Sequence, residues 1–162
     1  MGVVCIYPCR RIASDCAIYG KMKGQKGRAM IMEFSPIGCV HSSYKNPQDA
    51  PRQGRWAEGT VQLEIFEPYE EGLLRIENLK HLIVLYAADR ADRHQLQMNP
   101  CQSNVLTGVF ACRSPHRPNP ILFCVAELVE RNGRFLTVRG VEALDGSPLL
   151  DIKPYVAALD CV

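Results

Sequence analysis

The sequence predicts a mainly β fold, a single antiparallel barrel-like domain with one or two short helices, on three observations. From residue 33 onward the apolar stretches are short, they alternate or run as strands do, and Gly, Pro and Asn separate them. The 162 residues, 47% apolar and 22% charged, suffice for one buried core and lie far from disordered, collagenous or coiled-coil compositions. The longest unbroken apolar run, Leu82 to Ala88, has seven residues, whereas a membrane-spanning helix needs about 20. No membrane partner is expected.

Ile37–Val40 reads as the first strand. In Thr60–Phe66, Val61, Leu63 and Ile65 share one face and Thr60, Gln62 and Glu64 the other, the alternation of a half-buried strand. Glu70–Leu79 is the helix candidate, with acidic residues where they oppose the helix dipole favourably. Leu82–Ala88, continuous and apolar, reads as a strand buried on both faces. Val105–Cys112, Ile121–Glu130 and Arg134–Leu144 follow, the last two joined by an Asn132-Gly133 turn. Leu149–Ile152 closes a series of six or seven strands, which implies a barrel or sandwich. No repeat and no interdomain linker interrupts it.

Residues 1–32 differ from this body. They carry six Lys/Arg against one Asp/Glu, a charge of +5, and residues 33–162 carry 13 against 16, a charge of −3, so the overall +2 belongs to the first segment. Cys5, Cys9 and Cys16 have neither zinc nor iron–sulfur spacing. The glycines and lysines of residues 20–27 form no Gly-x4-Gly-Lys-Ser/Thr phosphate loop. The apolar stretch Val3–Tyr7 precedes the arginines, the reverse of a secretory signal, and Ile6 stands where myristoylation needs Ser or Thr. The expectation is a basic N-terminal extension over 1–32, disordered or untranslated with the start at Met30 or Met32, followed by one domain over 33–162. Cys39, Cys101, Cys112, Cys124 and Cys161 fit no ligand spacing, so reduced thiols in a cytoplasmic protein are expected, Cys112 and Cys124 as small core residues.

The polar chemistry sits between the strands. Lys45–Arg55 has no apolar side chain beyond Ala and Pro and carries Lys45, Arg52 and Arg55. Arg113–Pro120 packs three prolines and two arginines into eight residues, a stiffness that suits a site. Asp145-Gly146-Ser147-Pro148 has turn chemistry between two strand-like runs. No Gly-x-Gly-x-x-Gly follows a strand, and His-Glu-x-x-His, Cys-x-x-Cys and Gly-x-Ser-x-Gly are absent. His41, His81, His94 and His116 form no ligand spacing, and no metal is expected.

Four ordered motifs then resemble a known family. PRQGR (Pro51–Arg55), IENLKHLIVLY (Ile76–Tyr86), GVFACRSPHRPNPI (Gly108–Ile121) and LDGSPLLDIKPY (Leu144–Tyr155) resemble the TsaA-like proteins, also called the TrmO family, and SPIGCVHSSY (Ser35–Tyr44) resembles that family's first strand. The resemblance covers about residues 34–160 and leaves residues 1–32 outside. It implies an S-adenosylmethionine-dependent tRNA methyltransferase on an all-β, non-Rossmann barrel, usually homodimeric. The implied reaction methylates N6 of N6-threonylcarbamoyladenosine, immediately 3′ of the anticodon. Carried over by position, the cofactor contacts fall on Pro51, Arg52, Gln53, Asp89, Arg90, Arg113, Phe123, Asp145, Gly146, Ser147 and Pro148. The chain departs from the family pattern at Leu122, usually glycine, and at Asp89-Arg90, which is His-Gln in a bacterial form.

Elementary chemistry agrees with that set. Arginine forks suit the cofactor's carboxylate, Asp145 or Asp89 its amine or ribose, and Phe123 its adenine. The urea-like acceptor nitrogen is a weak nucleophile and calls for a base, for which Asp145, Asp151 and His116 are the candidates. Lys45, Arg55, Arg93, Arg117 and Asn119, with Arg52, Arg90 and Arg113, supply RNA contacts to the anticodon loop. A body at −3 needs local patches, so a basic groove at a homodimer interface is expected. Two alternatives stay open: a non-catalytic S-adenosylmethionine- or RNA-binding module, and a methyltransferase acting on another small or nucleic-acid substrate.

Overall fold

The structure is a computed structural model and describes residues 33–100 and 103–161. The expected N-terminal extension over 1–32 lies outside the described residues, as does Cys101. One compact unit, Pro36–Val162, carries the fold.

Its strands are β1 (Gly38–His41), β2 (Thr60–Ile65), β3 (His81–Ala87), β4 (Gln97–Met98), β5 (Thr107–Gly108), β6 (Ile121–Asn132), β7 (Phe135–Arg139) and β8 (Pro148–Pro154). Six of them close a barrel in the order β1-β2-β7-β6-β3-β8, with β8 pairing back to β1, and β4 and β5 form a separate two-stranded ribbon. Every barrel pairing is antiparallel. Closure leaves no barrel strand with an unpaired edge. The period-two pattern sends Val61, Leu63 and Ile65 inward from β2, Leu82, Val84 and Tyr86 from β3, Cys124 and Ala126 from β6, and Leu136 and Val138 from β7. Register shifts between Leu85 and Tyr86 on β3 and between Leu128 and Glu130 on β6 are bulges, which bend strands enough to close a small barrel.

Antiparallel closure sorts the connections into two sets. Strands β1, β3 and β7 run one way and β2, β6 and β8 the other. The connections 42–59, 88–120 and 140–147 therefore emerge at one end, and 66–80 and the β6–β7 turn at the other. All three polar loops singled out in the sequence stand at the first end.

Several expectations are corrected. The helix expected over Glu70–Leu79 is two 3-10 turns, Glu67–Leu73 and Ile76–Asn78, separated by Arg75 in the left-handed region at φ 67°. The break at Arg75 turns the chain so that Leu73 at the end of the first turn and Ile76 at the start of the second both enter the core, with Leu79 packed against it. The strand expected over Val105–Cys112 is the two-residue β5 followed by a 3-10 turn, Val109–Ala111. Only Val109 of that segment reaches the interior, and Val105, Leu106 and Phe110 are exposed. The strand expected over Arg134–Leu144 stops at Arg139, because Gly140 at φ 93° turns the chain out of the ladder. Asn132 pairs with Phe135, so the hairpin turn is Gly133-Arg134 and not Asn132-Gly133. Gly133, at φ 57°, occupies its first central position, where the primed turns that match strand twist require a positive φ. Leu82–Ala88 buries only one face fully, and Ile83 and Leu85 on the outer face of the barrel are only partly covered. The ribbon β4–β5 and a terminal α-helix, α1 (Ala157–Asp160), carry no periodic signal in the sequence.

Candidate functional site

At the polar end the three connections meet on one residue. Asp145, between β7 and β8, accepts a hydrogen bond at Oδ1 from the Ser42 backbone N–H at 3.0 Å and one at Oδ2 from Lys45 Nζ at 2.7 Å, both from the β1–β2 connection. Its backbone carbonyl accepts from the guanidinium of Arg90, in the β3–β6 connection, and Arg90 also donates to the Lys45 carbonyl at 3.4 Å. Ser42 Oγ donates to the Ala143 carbonyl at 2.9 Å and the Asp145 N–H to the Tyr44 carbonyl at 2.8 Å. Partial burial of Asp145 works against its ionised form, but the hydrogen bonds from Lys45 and Ser42 outweigh it and hold the carboxyl below the usual carboxylate range. Next in the chain, Gly146 has φ 78°, and a Cβ there would lie 3.4 Å from the Arg90 guanidinium. Asp89 flanks Arg90 at 4.0 Å, and buried Ser147 and Pro148 lead into β8 beside β1.

The Pro51–Arg55 motif is held by close backbone packing. A Cβ on Gly54 would overlap the Gly140 carbonyl and the Glu142 carboxylate, so only glycine lets the 3-10 turn Gly54–Trp56 rest on that segment and on β6. Beneath it the Cys124 thiol donates to Glu142 Oε2 at 2.8 Å, with Tyr86 Oη 3.9 Å from the sulfur. Burial first, and the Glu142 charge second, push the Cys124 thiol upward, and burial does the same to the Tyr86 phenol, so both stay protonated donors. Cys124 is thus the expected small core residue, with a carboxylate partner that no spacing announced. Arg52, Arg55 and Trp56 are exposed on the turn, and the Gln53 amide donates to the Arg52 carbonyl at 2.8 Å.

On the outer surface of the β8-β3-β6 half, Asp151, Leu85 and Phe123 stand side by side in register. The Arg113 guanidinium lies over the Phe123 ring, 5.1 Å from its centroid, and Lys153 Nζ pairs with Asp151 at 2.6 Å. Two residues of the stiff loop are turned to internal work. Arg117 donates to the carbonyls of Ser114, Val109 and Cys112 at 2.8, 2.8 and 2.6 Å, closing its own loop. His116 accepts the Asp92 N–H at Nδ1 at 3.0 Å, so in the neutral ring the proton sits on Nε2 and that nitrogen donates. Arg93 and the exposed Asn119 stand in the same connection.

The remaining half of the barrel holds residues that the sequence did not single out. On the outer face of β1, β2 and β7, His41, Gln62 and Thr137 are aligned in register, Thr60 follows along β2, and Ser42, Ser43 and Asp145 close one side of a groove of about 410 Å³. His41 Nε2 bonds Glu64 at 2.7 Å, and Glu64 also pairs with Arg134 at 3.0 Å. The only signal in the sequence was the polar face of alternating strands, which reads as a solvent face. Among the described residues no group of three or more His, Cys, Asp or Glu stands together as metal ligands would, and no helix is long and apolar enough to cross a membrane.

Comparison with known proteins adds a family match. Residues 39–161 match the model of the tRNA-methyltransferase O N-terminal domain. Two Archaeoglobus fulgidus proteins, one described as a probable S-adenosyl-L-methionine-binding protein and the other as an S-adenosyl-L-methionine-binding protein, are 52% and 49% identical over 133 and 131 residues, 82% and 81% of this chain. The chain spans 36% of the first and 94% of the second. A mouse tRNA (adenine(37)-N6)-methyltransferase is 33% identical over 77% of this chain and 31% of its own length. The crystal structure of Pseudomonas aeruginosa TrmO superposes with a TM-score of 0.70 at 34% identity, covering 83% of this chain and 59% of that one.

Proposed function

Because the chain belongs to the tRNA-methyltransferase O N-terminal-domain family, we propose that it is a cytoplasmic homodimeric enzyme that transfers the methyl group of S-adenosylmethionine to N6 of N6-threonylcarbamoyladenosine beside the tRNA anticodon. The observation that carries the reading is the meeting of the β1–β2, β3–β6 and β7–β8 connections on Asp145, since the motifs that resemble the family come from all of these loops. A cofactor with a carboxylate, an amine, a ribose and an adenine suits this donor set. Arg52 and Arg90 are the forks for its carboxylate, Asp89 and the Gly146–Pro148 backbone face its ribose and amine, and Phe123 under Arg113 is a flat wall for its adenine. S-adenosylmethionine supplies an electrophilic methyl on a sulfonium, so the protein's part is alignment and the removal of one proton.

Of the proton acceptors considered, Asp145 is the best placed. It is ionised, it lines the open groove, and Lys45 and Ser42 fix its orientation. Asp151 lies on the outer row with Lys153 for a partner, and His116 presents a donor. The RNA is held by Arg52, Arg55, Arg93 and Asn119 at the same end, with exposed Trp56 offering a face for a base. A basic groove shared across two protomers is the arrangement by which these loop cations would hold the RNA.

The test is incubation with labelled S-adenosylmethionine and tRNA, with and without the threonylcarbamoyl group, followed by mass spectrometry of the anticodon-loop nucleosides. Methylation restricted to the modified tRNA is expected. Cofactor binding without methylation of either RNA would overturn the reading in favour of a binding module.

A further inference from the structure

The groove on the β7-β2-β1 half has a chemistry of its own. Its floor is the row His41, Gln62 and Thr137 on adjacent strands, which at a strand spacing of about 4.8 Å is roughly 10 Å wide. It encloses about 410 Å³ and lies open to solvent along one side, so a flat group could lie across it without being enclosed. The lining is the hydroxyls of Ser42, Ser43, Thr60 and Thr137, the Gln62 amide, the His41 imidazole, the Asp145 carboxylate and Val61, with no lysine or arginine among them. Such a surface matches the neutral base and sugar of a nucleoside, and only its rim, where Lys45 stands 2.7 Å from Asp145, offers a cation for the carboxylate that the threonylcarbamoyl group carries. Cations stand only outside it: Lys45 is committed to Asp145, and Arg139, opposite Thr60, is paired with Glu127 at 3.0 Å.

Adenosine chemistry has two sources in this reaction, the acceptor and the cofactor, and the strand order separates most of their residues. Asp89, Arg90, Phe123 and Arg113 belong to the β8-β3-β6 half or its loops, Arg52 and Gly146 to the β1–β2 and β7–β8 connections at the rim, and the groove to the outer face of the β7-β2-β1 half. Asp145 stands at the seam. Arg90 holds its carbonyl from one side, and its carboxylate lines the groove on the other. A group seated in the groove thus presents an N–H to an ionised carboxylate next to the cofactor residues.

We propose that this groove receives the acceptor nucleoside, turned out of the anticodon loop, with Gln62 and Thr137 bonding its polar edges and Asp145 facing the nitrogen that is methylated. The assignment rests on the RNA methyltransferase reading above and extends it to residues outside the family motifs. Turning a nucleotide out of a single-stranded loop costs less than from a duplex, which makes such a pocket workable.

The experiment compares the full chain with Gln62→Ala/Thr137→Val and with Gln62→Glu, which keeps the side-chain shape and loses the donors. Three quantities are read: melting temperature, calorimetric affinity for S-adenosylmethionine, and kcat/KM for methyl transfer to a threonylcarbamoylated anticodon stem-loop. Both variants should melt as the wild type does and bind the cofactor within about twofold, and their kcat/KM should fall at least about tenfold, as expected when a site loses hydrogen bonds to a polar substrate. An unchanged kcat/KM overturns the proposal and leaves the methyltransferase reading standing. Weakened cofactor binding overturns it by giving the groove to the cofactor. A wild-type chain that methylates no RNA removes the reading and the proposal together, a result distinct from failure in the variants alone.

Discussion

The two ends of the barrel are built on opposite plans. At the far end, the Gly133-Arg134 turn is two residues, and the connection 66–80 drives Leu73 and Ile76 into the core. Arg131 fastens that end by donating to the Leu73 carbonyl and to Glu77 Oε2, both at 2.9 Å. At the polar end the connections 42–59, 88–120 and 140–147 anchor inward at Val109, Pro120, Val141 and Ala143 and present polar groups outward. They hold together through hydrogen bonds and one carboxylate, and Val105, Leu106 and Phe110 stay exposed. The difference teaches that both ends close the core but one also presents polar groups to ligands, so binding should respond to the exposed residues of that end and not to the apolar plugs of the other.

Four measurements sharpen or break that division, from the largest effect to the smallest. Leu73→Ala removes a buried plug residue and should cost about 2–5 kcal/mol of unfolding free energy, with affinity for S-adenosylmethionine unchanged per folded molecule. Denaturant titration and calorimetry check both, and a loss of affinity would show the ends to be coupled. Arg90→Ala removes charge-assisted bonds to two loop carbonyls and should weaken cofactor binding by about 1.5–3 kcal/mol, the scale of one hydrogen bond to a charged group, with little change in melting temperature. A large melting shift with normal affinity would make Arg90 a structural clamp only.

Gly133→Ala places a Cβ in open space, so its whole effect is the positive φ, about 1–2 kcal/mol of stability, and methyl transfer should not change. A neutral result would mean that the turn relaxes to another type. The smallest effect is the pH response of Asp145. Its folded carboxyl titrates below the ordinary value, so its stabilising contribution is complete above about pH 4 and is lost as the pH falls through the lowered folded value. Melting curves recorded from pH 7 downward should fall more steeply in acid for the wild type than for Asp145→Asn. Parallel curves would show that Lys45 and Ser42 do not stabilise the ionised form.

Legibility differed between the ends for physical reasons. Thr60–Phe66 was readable because its alternation is local and every second residue meets the core. Glu70–Leu79 reads as an α-helix because acidic residues and scattered apolar ones suit one, and nothing local announces the left-handed Arg75 that breaks the segment into two 3-10 turns. Arg117 looked like a free cation among prolines, yet three carbonyls of its own loop point at it. Gln62 and Thr137 looked like solvent-facing polar residues, 75 positions apart in the chain and adjacent on neighbouring strands.

Residue order alone thus established a β chain with one core, polar loops that resemble one family, and a body whose charge cannot bind RNA in bulk. Those features depend on composition and on contacts within a few residues. Tertiary structure decided which loops share an end, that they meet on Asp145, which arginines remain available, and that three strand faces make a groove. Each of these depends on strand order and register, which barrel closure sets between residues far apart in the chain, and no local period encodes them.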